Sequence, residues 1–333
     1  MKKAYLYCDK RSLNDATIFY VDLVNDCLRV KGYDVFTVHQ LNEIKKPNLI
    51  FTITNYYFVK AKVRFPFTKT INWSQGVEFE EVKMTRAYWK RFPFWLFEQL
   101  TIWLSDMHLF VSDKMCEYYR NHFSYRGNEH VIMPCYNLPL GEFLSVERYA
   151  SPSFVYAGGV SKWQGIDTIL DTYANIEAQI PTSSLTMYCK EEDYIYSEAR
   201  KRNINNIKVK YVPLDELQSE LCQYKYGFIL REKNWVNYVA TPTKMNSYLA
   251  AYLIPIFSDG VDDFSLNISL GDFTIMAKTP LNPNTIAEQI VSFEKGKHCY
   301  EDYKGIVERV FSHHYNDEHY KCQILKKLSE LNM

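Results

Sequence analysis

Three groups of residues in this 333-residue chain combine types and spacings suited to chemistry. The first lies in residues 226–258. An apolar run, Gly227-Phe228-Ile229-Leu230, breaks into a polar loop over residues 231–237; a helix follows from Thr241-Pro242-Thr243, then a second apolar run, Ile254-Pro255-Ile256-Phe257. Thr241 is a good N-cap and Pro242 falls where a missing backbone N–H costs nothing, so the helix is expected to start there, its free amides facing the loop. Open α/β sheets bind ligands beyond the carboxyl ends of their strands, so Arg231, Asn237 and Lys244 are expected to converge on a ligand, and a phosphorylated one suits them. The plainer alternative is an ordinary cap followed by a solvated lysine.

The second group follows the apolar run Phe154-Val155-Tyr156-Ala157. The pair Gly158-Gly159 lets backbone come close to a ligand, and Ser161 and Lys162 stand just ahead of a helix expected over residues 164–178, with Ile166, Ile169, Leu170 and Tyr173 on its apolar face. The third group is residues 70–81, a strand running into a loop with a Gln75-Gly76 turn and the carboxylates Glu78, Glu80 and Glu81.

The elements that must position these groups alternate between strand and helix, the pattern of parallel sheets covered on both faces. Strands are expected at residues 4–8, 34–39, 48–54, 107–112 and 130–133. A first helix over residues 15–30 carries Ile18, Val21, Leu23, Val24, Cys27 and Leu28 and ends at Gly32. Another helix is expected over residues 113–121. His108, inside an apolar strand, reads as a hydrogen-bonded core histidine. Residues 138–152, with Pro139, Gly141 and Pro152, form the expected linker, and a second α/β pattern begins at Ser153, with strands over residues 185–189, 207–211 and 227–230 and a helical tail over residues 285–331. Residues 9–15 contain no glycine, so the dinucleotide fingerprint that should join a first strand to its helix is missing.

The segment from Arg231-Glu232 through Asn237, Thr241-Pro242-Thr243-Lys244, Tyr248-Leu249-Ala250 and Pro255-Ile256 resembles, in register, the donor-site signature of GT-B glycosyltransferases, in particular the GT4-like enzymes of bacterial surface polysaccharide synthesis. The resemblance implies an α/β protein of GT-B fold: two Rossmann-like domains facing across a cleft, an acceptor-side domain over residues 1–145, a nucleotide-sugar domain over 153–310, and a C-terminal helix in 311–333 packing back toward the first. It places the nucleotide-sugar donor on Gly158, Gly159, Lys162, Gln164, Arg231, Asn237, Thr241, Thr243, Lys244 and Ser247, the last at the position whose family glutamate holds the ribose. Gly159 and Gln164 stand where the family has its Arg and Lys, which makes Lys162 the replacement cation. The family's two donor glutamates fall on Val239 and Ser247, and the glycine ahead of the last strand is Tyr252.

In the resembled family a loop like residues 75–81 lies beside the acceptor. Gln75 and Gly76 would then present an amide and a backbone N–H to the sugar, and Glu78 or Glu81 would handle the acceptor hydroxyl proton; the alternative is a surface loop with solvated acids. The reaction implied is sugar transfer from a UDP-, GDP- or dTDP-linked donor to a glycan or lipid-linked acceptor, retaining and without a metal or other cofactor. Readings from other classes are a non-catalytic GT-B protein that partners a transferase or binds glycan, and a sugar-nucleotide epimerase, which would need carboxylates facing the donor from both domains.

Composition bounds the rest. Lys plus Arg and Asp plus Glu number 39 each, which argues against wholesale nucleic-acid binding. The eight cysteines show no CxxC or Cys/His metal spacing, residues 190–193 make no Asp-x-Asp, and the adjacent His313 and His314 would point different ways on a helix, so no metal site is expected. No secretory leader and no membrane span is read in the chain, so a cytoplasmic protein is expected, with a place at the inner face of the membrane as a further reading. That place would come from residues 83–104, where Lys83, Arg86, Lys90 and Arg91 interleave with Tyr88, Trp89, Phe92, Phe94, Trp95, Phe97 and Trp103. Such a segment suits a membrane interface; the alternative is that residues 94–104 form a core helix whose aromatics are all buried, with Pro93 at its start.

Overall fold

The computed structural model describes residues 2–13, 15–85 and 88–331; Arg86 of the basic-aromatic segment lies outside them. The chain forms two compact units, one of Met1–Asn137, Val239–Thr241 and Tyr315–Met333, the other of Leu138–Tyr238 and Pro242–His314.

The first unit holds β1 (Lys2–Tyr7), α1 (Asp15–Val30), β2 (Tyr33–Val38), β3 (Leu49–Thr52), α2 (Asn55–Arg64), β4 (Lys69–Ser74), α3 (Glu78–Met84), α4 (Arg91–Leu104), β5 (Met107–Phe110), α5 (Asp113–Phe123) and β6 (His130–Ile132). Its six strands are parallel in the order β2-β1-β3-β4-β5-β6, with Ile50 opposite Thr70 and Ile71 opposite Met107. Strands covered on both faces read as continuous apolar runs, and all four residues of β3, Leu49-Ile50-Phe51-Thr52, are buried. On α1 the core face is Tyr20, Val21, Leu23, Val24, Cys27 and Leu28, whereas Ile18 is 48% exposed; it falls outside the stripe that faces the sheet. Residues 78–84 are not the loop expected from sequence but the helix α3, with three carboxylates in its first turn, where the macrodipole favours negative charge.

The second unit runs β7 (Ser153–Ala157), α6 (Ile166–Gln179), β8 (Ser184–Tyr188), α7 (Glu192–Lys201), β9 (Ile207–Lys210), α8 (Leu214–Leu221), β10 (Tyr226–Ile229), α9 (Trp235–Tyr238), α10 (Thr243–Ala250), β11 (Ile254–Ser258), α11 (Asp262–Asn267), β12 (Ile275–Ala277), α12 (Pro283–Glu294) and α13 (Tyr300–His313); α14 (Asp317–Leu331) belongs to the first unit, against α1 and β6. The strand order is β12-β11-β10-β7-β8-β9, again all parallel. Pro255 sits inside β11 without breaking the ladder. Ile254 N–H points to β10, bonding Lys225 O, so Pro255 N faces the β12 side, where pairing begins only at Ile256. Tyr252, at the resembled family's glycine, has φ +56, the left-handed region that glycine adopts freely. Its cost is offset by burial against Phe143 and by a bond from Tyr149 Oη to Tyr252 O at 2.7 Å.

The start of α10 differs from expectation. Pro242 is the N-cap and Thr243 the first helical residue, with no side-chain cap bond. Thr241 is engaged elsewhere: its Oγ1 accepts the Cys135 N–H at 2.9 Å, and it belongs to the first unit.

Candidate functional site

In the second unit, β10 delivers Arg231 two residues past its end, and α10 carries Lys244 in its first turn. Both donate to one acceptor, Gln164 Oε1, at 3.0 Å from Arg231 Nη2 and 2.9 Å from Lys244 Nζ. Gln164 reaches that point because the helix expected over residues 164–178 is broken in two. A 3-10 turn, Lys162–Gln164, precedes α6, and Gly165 between them has φ +69 and lies so close to β10 that a Cβ would run into the Leu230 carbonyl. Gly158 has φ +144, and a Cβ there would come within 2.7 Å of Lys244 Cε and Nζ, so glycine leaves the room that the ammonium occupies. Tyr156 supplies a ring 5.1 Å from Lys244 Nζ and bonds Gly159 O through its hydroxyl at 2.6 Å.

Arg231 is held at its backbone by Ser258, whose Oγ accepts Arg231 N–H at 2.9 Å and donates to Arg231 O at 2.6 Å. Asn237, on α9 rather than in an open loop, points Oδ1 at Arg231 Nη1 at 3.4 Å and donates Nδ2 to Glu232 O at 2.8 Å. Among the described residues no carboxylate pairs with either cation, and Arg231 Nε is buried with no partner. Burial drives the Lys244 ammonium well below its usual pKa, with Arg231 adding repulsion, and burial brings Arg231 down to about 10. Arg231, buried, and Lys244, half-buried, share one neutral oxygen, and an anion there would balance their charge.

The remaining donor-side candidates are more loosely placed. Lys162 is exposed, with no hydrogen bond or ion pair to it among the described residues, and Gln164 rather than Lys162 joins the two cations. Thr243 O accepts the Ser247 hydroxyl at 3.1 Å, an i to i−4 bond within α10. Val239, at the other glutamate position, is fully buried in the first unit, where its carbonyl accepts Ser112 Oγ at 2.6 Å.

In the first unit, the carboxyl ends of β3 and β4 open on a cavity of ≈ 300 Å³ lined by Asn55, Asn72, Gln75, Gly76, Glu78 and Glu81 among others. The acids are not solvated. Glu78 Oε1 accepts the Asn55 N–H at 3.1 Å, yet burial still raises its pKa; burial and the neighbouring Glu78 push Glu81 up to about 7. Glu81 Oε1 lies so near Gly76 that a Cβ there would meet it at 2.5 Å. Gln75 Nε2 is buried without a partner. Behind them Glu98 of α4, fully buried, accepts the Phe79 N–H at 3.2 Å and is held well above the usual carboxylate range by burial, then by Glu78. Glu80 serves packing, bonding Lys83 at 2.7 Å and Tyr118 Oη at 2.9 Å. Sequence reasoning missed Glu98, Asn55 and Ser258. Glu98 lies in an aromatic run that drew attention for its surface, and the other two carry no local signal.

No protein-family model matches the sequence, and no curated protein is similar to it by sequence. Its fold is similar to solved structures at low identity. Sucrose-phosphate synthase from Thermosynechococcus elongatus aligns over 99% of both chains with TM-score 0.70 and 13% identity. Anabaena Alr3699/HepE, solved in complex with UDP-glucose, aligns over 99% of this chain and 100% of its own with TM-score 0.70 and 10% identity. WaaG, a glycosyltransferase of lipopolysaccharide biosynthesis, aligns over 99% of both with TM-score 0.65 and 10% identity. The two parallel six-stranded units are the two Rossmann-like domains of the GT-B glycosyltransferase fold.

Proposed function

We propose that the chain is a glycosyltransferase that moves a hexosyl group from a nucleotide-sugar donor to a glycan or lipid-linked acceptor, in bacterial surface polysaccharide synthesis. The observation that carries this is the uncompensated Arg231–Lys244 pair around Gln164 Oε1. In sugar transfer the acceptor oxygen bonds the anomeric carbon while the bond to the diphosphate breaks, leaving new negative charge on the departing phosphate. Cations and helix amides already in place at that point stabilise it, a role that metal ions fill elsewhere. Several proteins of similar fold were solved with UDP or a UDP-sugar, HepE and TarM among them, which supports a nucleotide diphosphate as the anion.

The polar cavity of the first unit suits an acceptor sugar, with Gln75 and the Gly76 N–H as donors to its oxygens and Glu78 and Glu81 as acceptors of its hydroxyl protons. If Glu81 takes the reacting proton, attack from the face opposite the diphosphate inverts the anomeric carbon; if the departing phosphate oxygen takes it, configuration is kept. We take retention from the sequence resemblance, Glu78 and Glu81 then orienting the acceptor hydroxyl. One measurement tests the reading. UDP, GDP and dTDP are titrated against the protein and Lys244→Ala, and the corresponding donors are assayed for hydrolysis and transfer, with the product anomer read by NMR. Binding of no nucleotide, or equal binding by the variant, overturns it.

The second reading, a GT-B protein without turnover that partners a transferase, is favoured by Val239 and Ser247: neither family glutamate is replaced by another carboxylate at its position. Nucleotide binding with no transfer from any donor would select it.

A further inference from the structure

We propose that a second cavity in the first unit, at the amino ends of β5 and β6, is a remote glycan site that holds part of the acceptor chain away from its reacting end. It measures ≈ 320 Å³, within the range of small-ligand clefts, and is walled by Trp103, Asp106, His108, Tyr125, Arg126 and Glu129. The acid-lined cavity opens at the carboxyl end of β4, which runs parallel to β5, so the two lie at opposite edges of one sheet.

Trp103 is the platform. It is 63% exposed, yet its indole N–H donates to Phe123 O at 3.3 Å, an oxygen also bonded by Gln99 Nε2 at 2.9 Å. The ring is anchored by its edge and leaves a large apolar surface in water, a standing cost that ligand contact relieves. His108 lines the same cavity, buried, with Nδ1 lacking any partner. Its pKa falls to about 4, chiefly through burial, so near neutral pH the ring is neutral; its N–H is taken up by the Ile102 backbone, which leaves Nδ1 to accept from a sugar hydroxyl. Asp106 is fixed through Oδ2 to the Thr70 N–H at 2.8 Å and hydroxyl at 3.0 Å, and Glu129 pairs with Lys327 at 3.3 Å. Arg126 is exposed, with no ion pair to it among the described residues.

This chemistry selects among ligands. Both carboxylates are held beside lysines, Asp106 by Lys62 at 3.5 Å and Glu129 by Lys327, and an anchored aromatic face beside these fixed acceptors, a guanidinium and a neutral imidazole matches a polyhydroxylated ring. The inference rests on the glycan half of the proposed function but is read separately. Wild type, Trp103→Ala, Arg126→Ala and Lys244→Ala, each checked for native circular dichroism, are applied to an array of oligosaccharides including bacterial polysaccharide fragments of graded length. The expected result is wild-type binding that strengthens with chain length, falls at least tenfold in Trp103→Ala and Arg126→Ala, and is unchanged in Lys244→Ala. Binding of no glycan, equal binding by Trp103→Ala and Arg126→Ala, or loss of anionic-vesicle binding in Trp103→Ala with glycan binding intact overturns it. Should Lys244→Ala keep full UDP affinity, the donor-site reading fails while the array result stands.

Discussion

Arg231 and Lys244, thirteen residues apart, point their cationic groups at the same amide oxygen, Gln164 Oε1, from 3.0 and 2.9 Å. Arg231 is buried and Lys244 half-buried, so the like charges are poorly hydrated and cost stability that a bound anion would offset. Lys244→Met, similar in length and without charge, is expected to raise the stability of the ligand-free protein by about 1–3 kcal/mol. The same change should weaken UDP binding by about two decades, or ~2.7 kcal/mol. Thermal unfolding with and without UDP reads both effects; a variant that loses stability and keeps its UDP affinity removes the basis for an anion site.

A proton is expected to accompany the nucleotide. Burial holds the Lys244 pKa well below its usual value in the empty site, and a diphosphate beside it favours the ammonium, so the bound pKa is the higher of the two. Between those values binding takes up a proton, and affinity falls as pH rises through the window. The folding term has its own sign. With the folded pKa below the unfolded one, the unfolded chain binds more protons, so this group's contribution to stability improves as pH rises toward 10.5. Calorimetric titration of UDP in two buffers of different ionisation enthalpy measures the uptake, which should vanish in Lys244→Met.

Gly158 and Gly159 separate two explanations for a glycine pair. Alanine at Gly158 would have φ +144 and place its methyl 2.7 Å from Lys244 Cε and Nζ, whereas a Cβ at Gly159 meets nothing within 4 Å. Gly158→Ala should therefore displace the ammonium and reduce UDP affinity by about tenfold or more, a loss of ~1.4 kcal/mol, while Gly159→Ala should bind UDP nearly as wild type does. Equal effects of the two substitutions would mean that the pair acts through loop mobility and not by making room for Lys244.

The convergence of Arg231 and Lys244 was legible in the sequence, because a strand, a polar loop and a helix start fix where the two must emerge. The part that was not legible depends on contacts between distant residues. Gln164 takes the central position, and not Lys162, because Gly165 turns the chain against the Leu230 carbonyl, 65 residues on. Thr241 fails to cap α10 because its hydroxyl is claimed by the Cys135 amide, 106 residues away. The acids at 78 and 81 looked equally like solvated loop residues; desolvation in the fold, and for Glu81 its neighbour Glu78, raises their pKa, which the local sequence does not announce. His108 was expected to be hydrogen-bonded in the core, and it is buried but leaves Nδ1 unsatisfied, which no local pattern announces.

Glu81 is expected to set the acidic limb of the pH profile. Its pKa is raised to about 7, first by burial and then by Glu78, so the carboxylate that accepts a hydrogen bond from the acceptor hydroxyl and orients it forms only as pH passes that value. Transfer, read as kcat/KM, should rise through about pH 7, and Glu81→Gln should lower it by about 10–100-fold, the loss of one charge-assisted hydrogen bond to the acceptor, and abolish the limb. The stability term has the opposite slope. An acid with a raised folded pKa supports the fold at low pH and loses that support as pH rises from its usual 4.5 toward 7. Glu81→Gln should flatten that decline in thermal stability, and an unchanged pH profile in the variant would remove Glu81 from the reaction.

The basic-aromatic segment resolves into parts of different exposure. Trp89 and Phe92 are 77% and 67% exposed and Tyr88 is also in water, while Trp95 is half-buried, 6.0 Å from Phe92; within residues 94–104 Trp103 is exposed, so the account of a core helix there with every aromatic buried does not hold. Lys90 Nζ lies 5.1 Å from the Trp89 ring and the Arg91 guanidinium 4.4 Å from that of Tyr88, which keeps positive charge beside the apolar groups. Among the described residues no helix is long and apolar enough to cross a membrane. Contact through this face would therefore be interfacial, with the rings at the acyl boundary and each cation adding about 1 kcal/mol near an anionic surface. The protein is expected to sediment with vesicles rich in phosphatidylglycerol and not with phosphatidylcholine alone. Trp89→Ala/Phe92→Ala should reduce the bound fraction by about tenfold in partition coefficient, and salt should reduce it further, because screening removes the charge contribution but not the apolar one. Equal sedimentation of wild type and the double variant would leave these rings without a lipid role, and the acceptor would then be a glycan met in water.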